Sequence, residues 1–181
     1  MAADDSAEDE DEYGDRSDPP FKRLCARYGL AMYFVQVLEH GIVNALVWLD
    51  LHKKTGGRWT PEQYDSYYDA RFSETLGELT KRLAKHGPIP EELSVRLAEA
   101  NRRRRLLAHH FFREAADDVE LGRVDRLIDG LESDRQFFQD TDRMLDAFVE
   151  PVLAQHGFTR QVREQALHDY QQSIRSAFKV L

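Results

Sequence analysis

The sequence predicts an all-α protein, and three observations carry this prediction. Apolar residues recur at intervals of three and four positions through most of the 181-residue chain, which is the spacing of one helix face. Prolines and glycines fall between these periodic segments, for example at 56–57 and 87–90. No segment shows the alternation of a convincing β-strand. Five helices joined by short loops predict a compact antiparallel bundle.

The first predicted helix runs from about residue 22 to residue 53 and ends before Gly56-Gly57. Gly29 and Gly41 lie within it, and we expect the helix to bend or break there. Its most apolar part, residues 28–49, contains polar side chains in the middle. Such a pattern is typical of a buried helix in a soluble protein and would be costly in a membrane span.

The second helix has a strong start signal, with Thr60 as N-cap, Pro61 in the first turn and Gln63 at the third position. Residues 72–87 either continue this helix or form a short separate one before the break at Pro88.

The next helix opens at Pro90 and has one apolar stripe at helical spacing. A fourth long helix has an apolar inner face and is predicted to break near Pro151, and a last helix begins at Thr159. The two apolar faces consist of Leu93, Leu97, Ala100, Leu107, Ala108 and Phe111, and of Val124, Leu127, Ile128, Leu131, Phe138, Leu145 and Phe148.

Charge divides the chain into two parts. Residues 1–20 hold nine acidic residues and one arginine, which accounts for the whole net charge of −8. This composition predicts a disordered acidic tail over residues 1–20 and a helical domain over residues 21–181. The remaining part has equal numbers of acids and bases, which excludes a strongly basic protein that coats nucleic acid.

Cysteine usage and the absence of phosphate-binding motifs exclude many classes of enzyme. Cys25 is the only cysteine, so neither an internal disulfide nor a thiolate metal site is expected. No Gly-rich nucleotide loop is present. We therefore expect no cofactor and no metal. The acidic start without an apolar segment predicts a cytoplasmic protein that does not enter the membrane.

Four consecutive arginines, Arg102 to Arg105, fan around the predicted helix that opens at Pro90. Arg104 falls on the apolar stripe and needs a carboxylate, a phosphate or backbone carbonyls as partner; Glu39 is a plausible one. His109 lies about 140° from Arg104 on a continuous helix. Either the helix loosens before His109, or a second subunit completes the site. Arg102 and Arg105 share the face of His109 and form an alternative basic group.

The first helix carries a line of polar residues at spacings of three and four: Gln36, Glu39, His40 and Asn44. One interpretation is a buried hydrogen-bond ladder to a neighbouring helix, which includes Glu39 as partner of Arg104. The other places Glu39 and His40 at the rim of the same site. His110 falls on a flank of its helix, as a surface or interface residue.

The string from Arg104 to His109 resembles the Arg-x4-His motif of the HEPN family. The surroundings are similar too: Val37-Leu38-Glu39-His40, Thr75-Leu76-Gly77-Glu78-Leu79 and Ala108-His109-His110-Phe111-Phe112. The resemblance covers roughly residues 28–149 and implies a small all-α domain that forms a homodimer. In active members, the Arg and the His of two protomers meet across the interface and cut RNA without metal. It thus implies catalytic roles for Arg104 and His109. From their positions on the two helices, we expect the substrate to be contacted by Arg102, Arg105, His110, Glu39 and His40.

Arg105 departs from this family pattern, since active members usually carry a small polar residue at its position. Many HEPN-like domains are inactive binding modules. The first hypothesis is therefore a dimeric binding module in a toxin–antitoxin or defence setting, with RNA or an antitoxin-like protein as partner. The alternative is a metal-independent endoribonuclease. A third is a plain helical scaffold whose acidic tail mimics polyanions or maintains solubility.

Overall fold

The computed structural model describes residues 19–157 and 159–178, and every regular element in this part of the chain is helical. The all-α prediction is confirmed. The described part has seven helices where about five were expected, because two predicted segments divide. They are α1 (Pro20–Leu46), α2 (Pro61–Phe72), α3 (Leu76–Leu83), α4 (Glu91–His109), α5 (Phe111–Glu120), α6 (Val124–Gln155) and α7 (Arg160–Phe178).

The helix starts follow the local chemistry of the sequence. Thr60 accepts a hydrogen bond from the backbone N–H of Gln63, whose side chain accepts one from the Thr60 N–H, so the predicted capping box is present. Thr75 and Glu78 form a second capping box at the start of α3. Because of this second capping box, α3 is a separate helix. Residues 72–87 therefore do not continue α2, which was the other alternative.

The structure has no helix break at Gly29, Gly41 or Pro151, where one was expected. α1 passes through Gly29 and Gly41 without interruption, and its hydrogen bonding changes only at a π-helical segment, Val47–His52, followed by a last turn, Lys53–Thr55. α6 continues through Pro151 to Gln155. Pro151 lies on the exposed side of α6, where the carbonyl that loses its N–H partner can be solvated by water.

α1 and α6 pack side by side along most of their length and run in the same direction. Near their starts, Arg23 donates to Asp125 at 2.8 Å, and near their ends Trp48 stacks on His156. α4 runs antiparallel to both, since its later residues contact the earlier residues of α1 and α6. Because the neighbouring helices α1 and α6 are parallel, the arrangement is not the purely antiparallel bundle that was expected.

The core lies between α1, α3, α4 and α6. The predicted inner faces of α4 and α6 are confirmed, since Leu97, Leu131 and Phe138 are fully buried. Gly41 of α1 allows the close approach of α6, because a Cβ atom at this position would lie 2.6 Å from a carboxylate oxygen of Asp142. α1 and α6 thus form the closely packed pair against which α4 lies.

The acidic tail predicted over residues 1–20 lies outside the described residues, except for Pro19 and Pro20. Pro20 already occupies the first position of α1. By length and composition, the helical stretch Pro20–Thr55 could cross a membrane, and 44% of its most apolar window is buried within the protein.

Candidate functional site

The four arginines of α4 point in different directions and have different partners, as their fan around the helix predicts. Arg102 donates two hydrogen bonds to Glu99, each 2.7 Å long. Arg103 bridges Glu99 and Asp134 and lies over the ring of Phe137. These donors hold the pKa of Glu99 at about 2. The arginine run is therefore not one patch, since Arg103 is part of the α4–α6 contact.

Arg104 faces α1, where its Nε atom lies 3.5 Å from a carboxylate oxygen of Glu39. This is the ion pair expected from the sequence. Its geometry is loose: the Arg104 Nε is buried and makes no hydrogen bond. Burial raises the pKa of Glu39, and the nearby Arg104 charge opposes this effect without cancelling it. The pair therefore leaves the Nε–H of Arg104 without a hydrogen-bond acceptor.

His109 lies on the solvent side of α4 and is exposed. α4 is continuous from Glu91 to His109, so Arg104 and His109 point away from each other within one chain. The helix is interrupted only afterwards, at His110, which separates α4 from α5. The guanidinium of Arg113 donates a hydrogen bond to Nδ1 of His110, at 2.9 Å. Of the two expected ways to unite Arg104 and His109, a loosened helix between them is wrong, and a second subunit remains a prediction.

Arg102, Arg105 and His109 share the side of α4 that faces water, and we call these three residues the basic face. The side chain of Arg102 is 61% exposed despite its bonds to Glu99, and Arg105 and His109 are exposed as well. Arg105 makes no hydrogen bond or ion pair with any described residue. Because its charge is not neutralised locally, this face can attract an anionic group.

The polar line of α1 does not form a buried ladder. Gln36, His40 and Asn44 are exposed, and only Glu39 is directed at α4. His40 turns to α2, where its Nδ1 lies 3.3 Å from the hydroxyl of Tyr68 and its ring packs edge-on against Phe72. The structure therefore brings Glu39 to Arg104 but does not bring His40 to either Arg104 or His109.

A cluster of aromatic and imidazole rings at the far end of α1 was not found from the sequence. The ring centroids of His52 and His156 are 4.0 Å apart, and Trp48 and Trp59 pack against His52. Among the described residues, no third His, Cys, Asp or Glu joins the pair to form a metal-binding group. In the sequence, the two tryptophans near the end of the first helix were the only sign of this cluster. His156 could not be assigned to it, because it is more than a hundred residues away from His52 in the chain.

This cluster predicts a pH-dependent tryptophan fluorescence. Burial, and to a smaller extent the neighbouring His156, lowers the pKa of His52. The folded state thus binds this proton less readily than the unfolded state, and stability falls as the pH drops below the ordinary histidine range of about 6.5. We expect the emission of Trp48 and Trp59 to change on acidification. His156→Phe should reduce this change, and an unaltered titration in that variant would contradict the contact.

The fold and this region define an all-helical protein whose fourth helix has an ion-paired arginine on one side and a basic face on the other. Comparison of the chain with protein-family models gives no match. Searches of curated proteins and of solved structures also give no match.

Proposed function

We propose that the protein is a cytoplasmic, homodimeric, HEPN-like binding module that presents the basic face of α4 to an acidic segment of an antitoxin-like partner protein. The observation that carries this proposal is the direction of Arg104, which points at Glu39 of α1 and away from His109. Arg104 then has a structural role in joining α4 to α1. Arg102, Arg105 and His109 are left for the partner.

An acidic protein segment suits this face better than RNA does. Outside its first twenty residues the chain has equal numbers of acidic and basic residues, so no overall field attracts a polyanion such as RNA. Three basic side chains on one helix can still form local contacts with carboxylates, each contributing a few tenths of a kcal/mol to about 1 kcal/mol. A short acidic segment matches a site of this size.

The homodimer in this proposal is what the resemblance to the HEPN family implies. A two-fold interface formed away from α4 would leave the basic face accessible to the partner.

A metal-independent endoribonuclease remains the second candidate, because one observation favours it. The Arg104 Nε has no hydrogen-bond partner, and its side chain is 27% exposed, so the guanidinium can bind a phosphate. In this case two protomers would meet at α4, and His109 of one would act as general acid or base beside Arg104 of the other. The interface would then bury the basic face.

Arg104→Ala tests the two functions together. As a structural ion pair, Arg104 contributes about 1 kcal/mol to the free energy of unfolding, because its loss leaves Glu39 half-buried without a partner. Urea denaturation should show this loss, and sedimentation should still give a dimer of the 21.1 kDa chain. The matched control is Arg105→Ala, whose exposed side chain has no partner; we expect its effect to be below about 0.5 kcal/mol.

The same variants are then incubated with RNA in EDTA. The binding module predicts no cleavage by the wild-type protein. If the wild-type protein cleaves RNA and neither Arg104→Ala nor His109→Ala does, the protein is an endoribonuclease and the binding-module proposal is wrong. An unfolding free energy of Arg104→Ala equal to that of the wild type would refute the structural role of Arg104.

A further inference from the structure

A cleft with a volume of about 280 Å³ lies along the outer side of α3. Its position follows from helical spacing, because Leu76, Leu79 and Leu83 are buried and the opposite side of α3 faces water. The residues that line the cleft are all charged: Glu74, Glu78, Lys81, Arg82 and Lys85. Ligand pockets typically begin at about 300 Å³, so the cleft has room for a small ligand.

Two arginines share the carboxylate of Glu74. Arg82 donates two hydrogen bonds to it, 3.0 and 2.7 Å long, and Nη1 of Arg71 lies 2.6 Å from one of its oxygens. The side chains of Glu74, Arg71 and Arg82 are 16%, 17% and 35% exposed. Nε of Arg71 is buried and has no hydrogen-bond partner. This group therefore holds two positive charges against one negative charge.

Glu78, the second acid of the cleft, is held by the capping box of α3. One of its carboxylate oxygens accepts hydrogen bonds from the backbone N–H and the hydroxyl of Thr75, at 2.7 and 2.9 Å. These bonds hold the pKa of Glu78 below its usual range, and the charge of Lys81 adds a smaller effect. Glu78 is therefore ionised at neutral pH and compensates part of the charge of Lys81.

Lys81 and Lys85 supply the free donors of the cleft. The two residues lie one helical turn apart, both are exposed, and neither makes a hydrogen bond or ion pair with a described residue. Together with Arg71, the cleft holds four bases and two acids. It thus has an excess of two positive charges.

The neighbouring acids do not remove this excess. The charge of the buried Asp50 is compensated by Lys54, whose Nζ lies 2.9 Å from a carboxylate oxygen. Asp69, Glu91 and Glu92 flank this part of the chain, but they are exposed and do not line the cleft. The excess positive charge is therefore available to a bound anion.

A small anion with more than one negative charge matches these donors. Phosphoryl oxygens accept charge-assisted hydrogen bonds from ammonium and guanidinium groups, and two ammonium groups one turn apart can contact two phosphoryl groups of one ligand. A long polyanion such as RNA matches less well, since two carboxylates lie in the same cleft and the chain after residue 20 has no net charge. Volume and charge therefore favour a small phosphorylated molecule.

We propose that the cleft along α3 binds the phosphoryl groups of a small phosphorylated ligand, through Lys81, Lys85 and Arg82. Glu74 fixes the orientation of the Arg82 guanidinium by its two hydrogen bonds. The basic face of α4 takes no part in this site. The proposal therefore goes beyond the proposed function and does not depend on it.

Isothermal titration calorimetry with pyrophosphate, at low salt and without divalent metal ions, tests the site in the full-length protein. We expect one pyrophosphate per chain, with a dissociation constant on the order of 0.1 mM. Lys81→Gln combined with Lys85→Gln should weaken binding at least about tenfold, because both free ammonium groups are lost. The matched control is Arg126→Gln with Arg143→Gln, which removes the same charge from exposed positions on α6 and should change the affinity less than about twofold.

Glu78→Gln should have the opposite effect. Glutamine also fits the third position of a capping box, so the start of α3 is kept while one negative charge is removed from the cleft. Pyrophosphate should then bind about three- to five-fold more tightly. Glu62→Gln, in the first turn of α2, is the control and should leave the affinity unchanged. Circular dichroism verifies that each variant is folded.

Three results with pyrophosphate would overturn the proposal. These are no binding at concentrations up to about 10 mM, equal weakening by the two double variants, or no gain in affinity from Glu78→Gln. A short single-stranded RNA that binds through Lys81 and Lys85 more tightly than pyrophosphate does would also overturn it, because the cleft would then be a nucleic-acid site. None of these results involves the basic face of α4 or the dimer, so a failure here is distinguishable from a failure of the proposed function.

Discussion

Phe138→Ala should lower the free energy of unfolding by about 3–5 kcal/mol, which is the usual cost of removing a buried phenylalanine ring. Phe138 is fully buried, in the middle of α6. α6 has its most extensive contact with α1, and α4 packs against both helices. A cavity here would loosen the frame that holds Arg104 opposite Glu39. Domains of this size have a total stability of about 5–15 kcal/mol, so the loss is a large fraction of it.

Urea denaturation followed by circular dichroism measures this effect. Phe112→Ala is the control, because the Phe112 ring is 43% exposed and its removal opens no enclosed cavity; we expect a loss below about 1 kcal/mol. If Phe138→Ala does not fold, Phe138→Leu keeps most of the volume and should cost about 1 kcal/mol. A Phe138→Ala variant as stable as Phe112→Ala would contradict the central position of this residue.

Asp142→Asn should stabilise the protein by about 1–2 kcal/mol at pH 7.5, a value reduced to allow for its partial exposure. Burial raises the pKa of Asp142 to about 6, and the nearby Asp146 adds to this effect. Asp142 makes no hydrogen bond or ion pair with a described residue, and one of its oxygens lies against Gly41. At neutral pH the folded state therefore contains a half-buried carboxylate without a compensating charge.

The pH dependence gives the sign of this effect. The folded state keeps the Asp142 proton up to a higher pH than the unfolded state does, so stability falls as the pH rises from about 4 to above 6. Asp142→Asn removes this dependence, and its gain should vanish near pH 4. Asp140→Asn is the control, because Asp140 is paired with the exposed Arg143. A gain that is equal at pH 4 and pH 7.5 would refute the role of ionisation.

Part of the candidate site follows from the sequence. Helical spacing places Arg104 on the apolar stripe and Arg102, Arg105 and His109 on the opposite side, and the structure has them there. The sequence also predicts Glu39 as the partner of Arg104, because a guanidinium on the inner face of a helix needs a carboxylate. These predictions depend on the geometry of single helices.

Other features depend on contacts that no local rule encodes. The buried ladder expected for Gln36, His40 and Asn44 is absent because no helix covers these three exposed residues; His40 only makes side contacts with Tyr68 and Phe72 of α2. The cluster of His52 and His156 joins residues that are far apart in the chain. The unpaired Asp142 arises because Gly41 lets α6 approach α1. Each of these features needs the relative position of two helices.

The sequence by itself determined the helical class, most of the helix starts, the inner faces and the concentration of negative charge in residues 1–18, because periodicity, capping and composition act over a few residues. Only the tertiary structure decided that α1 and α6 are parallel, that His40 turns to α2, and that His52 and His156 meet. These are properties of helix packing, where many weak contacts between distant segments select one arrangement among several of equal local quality.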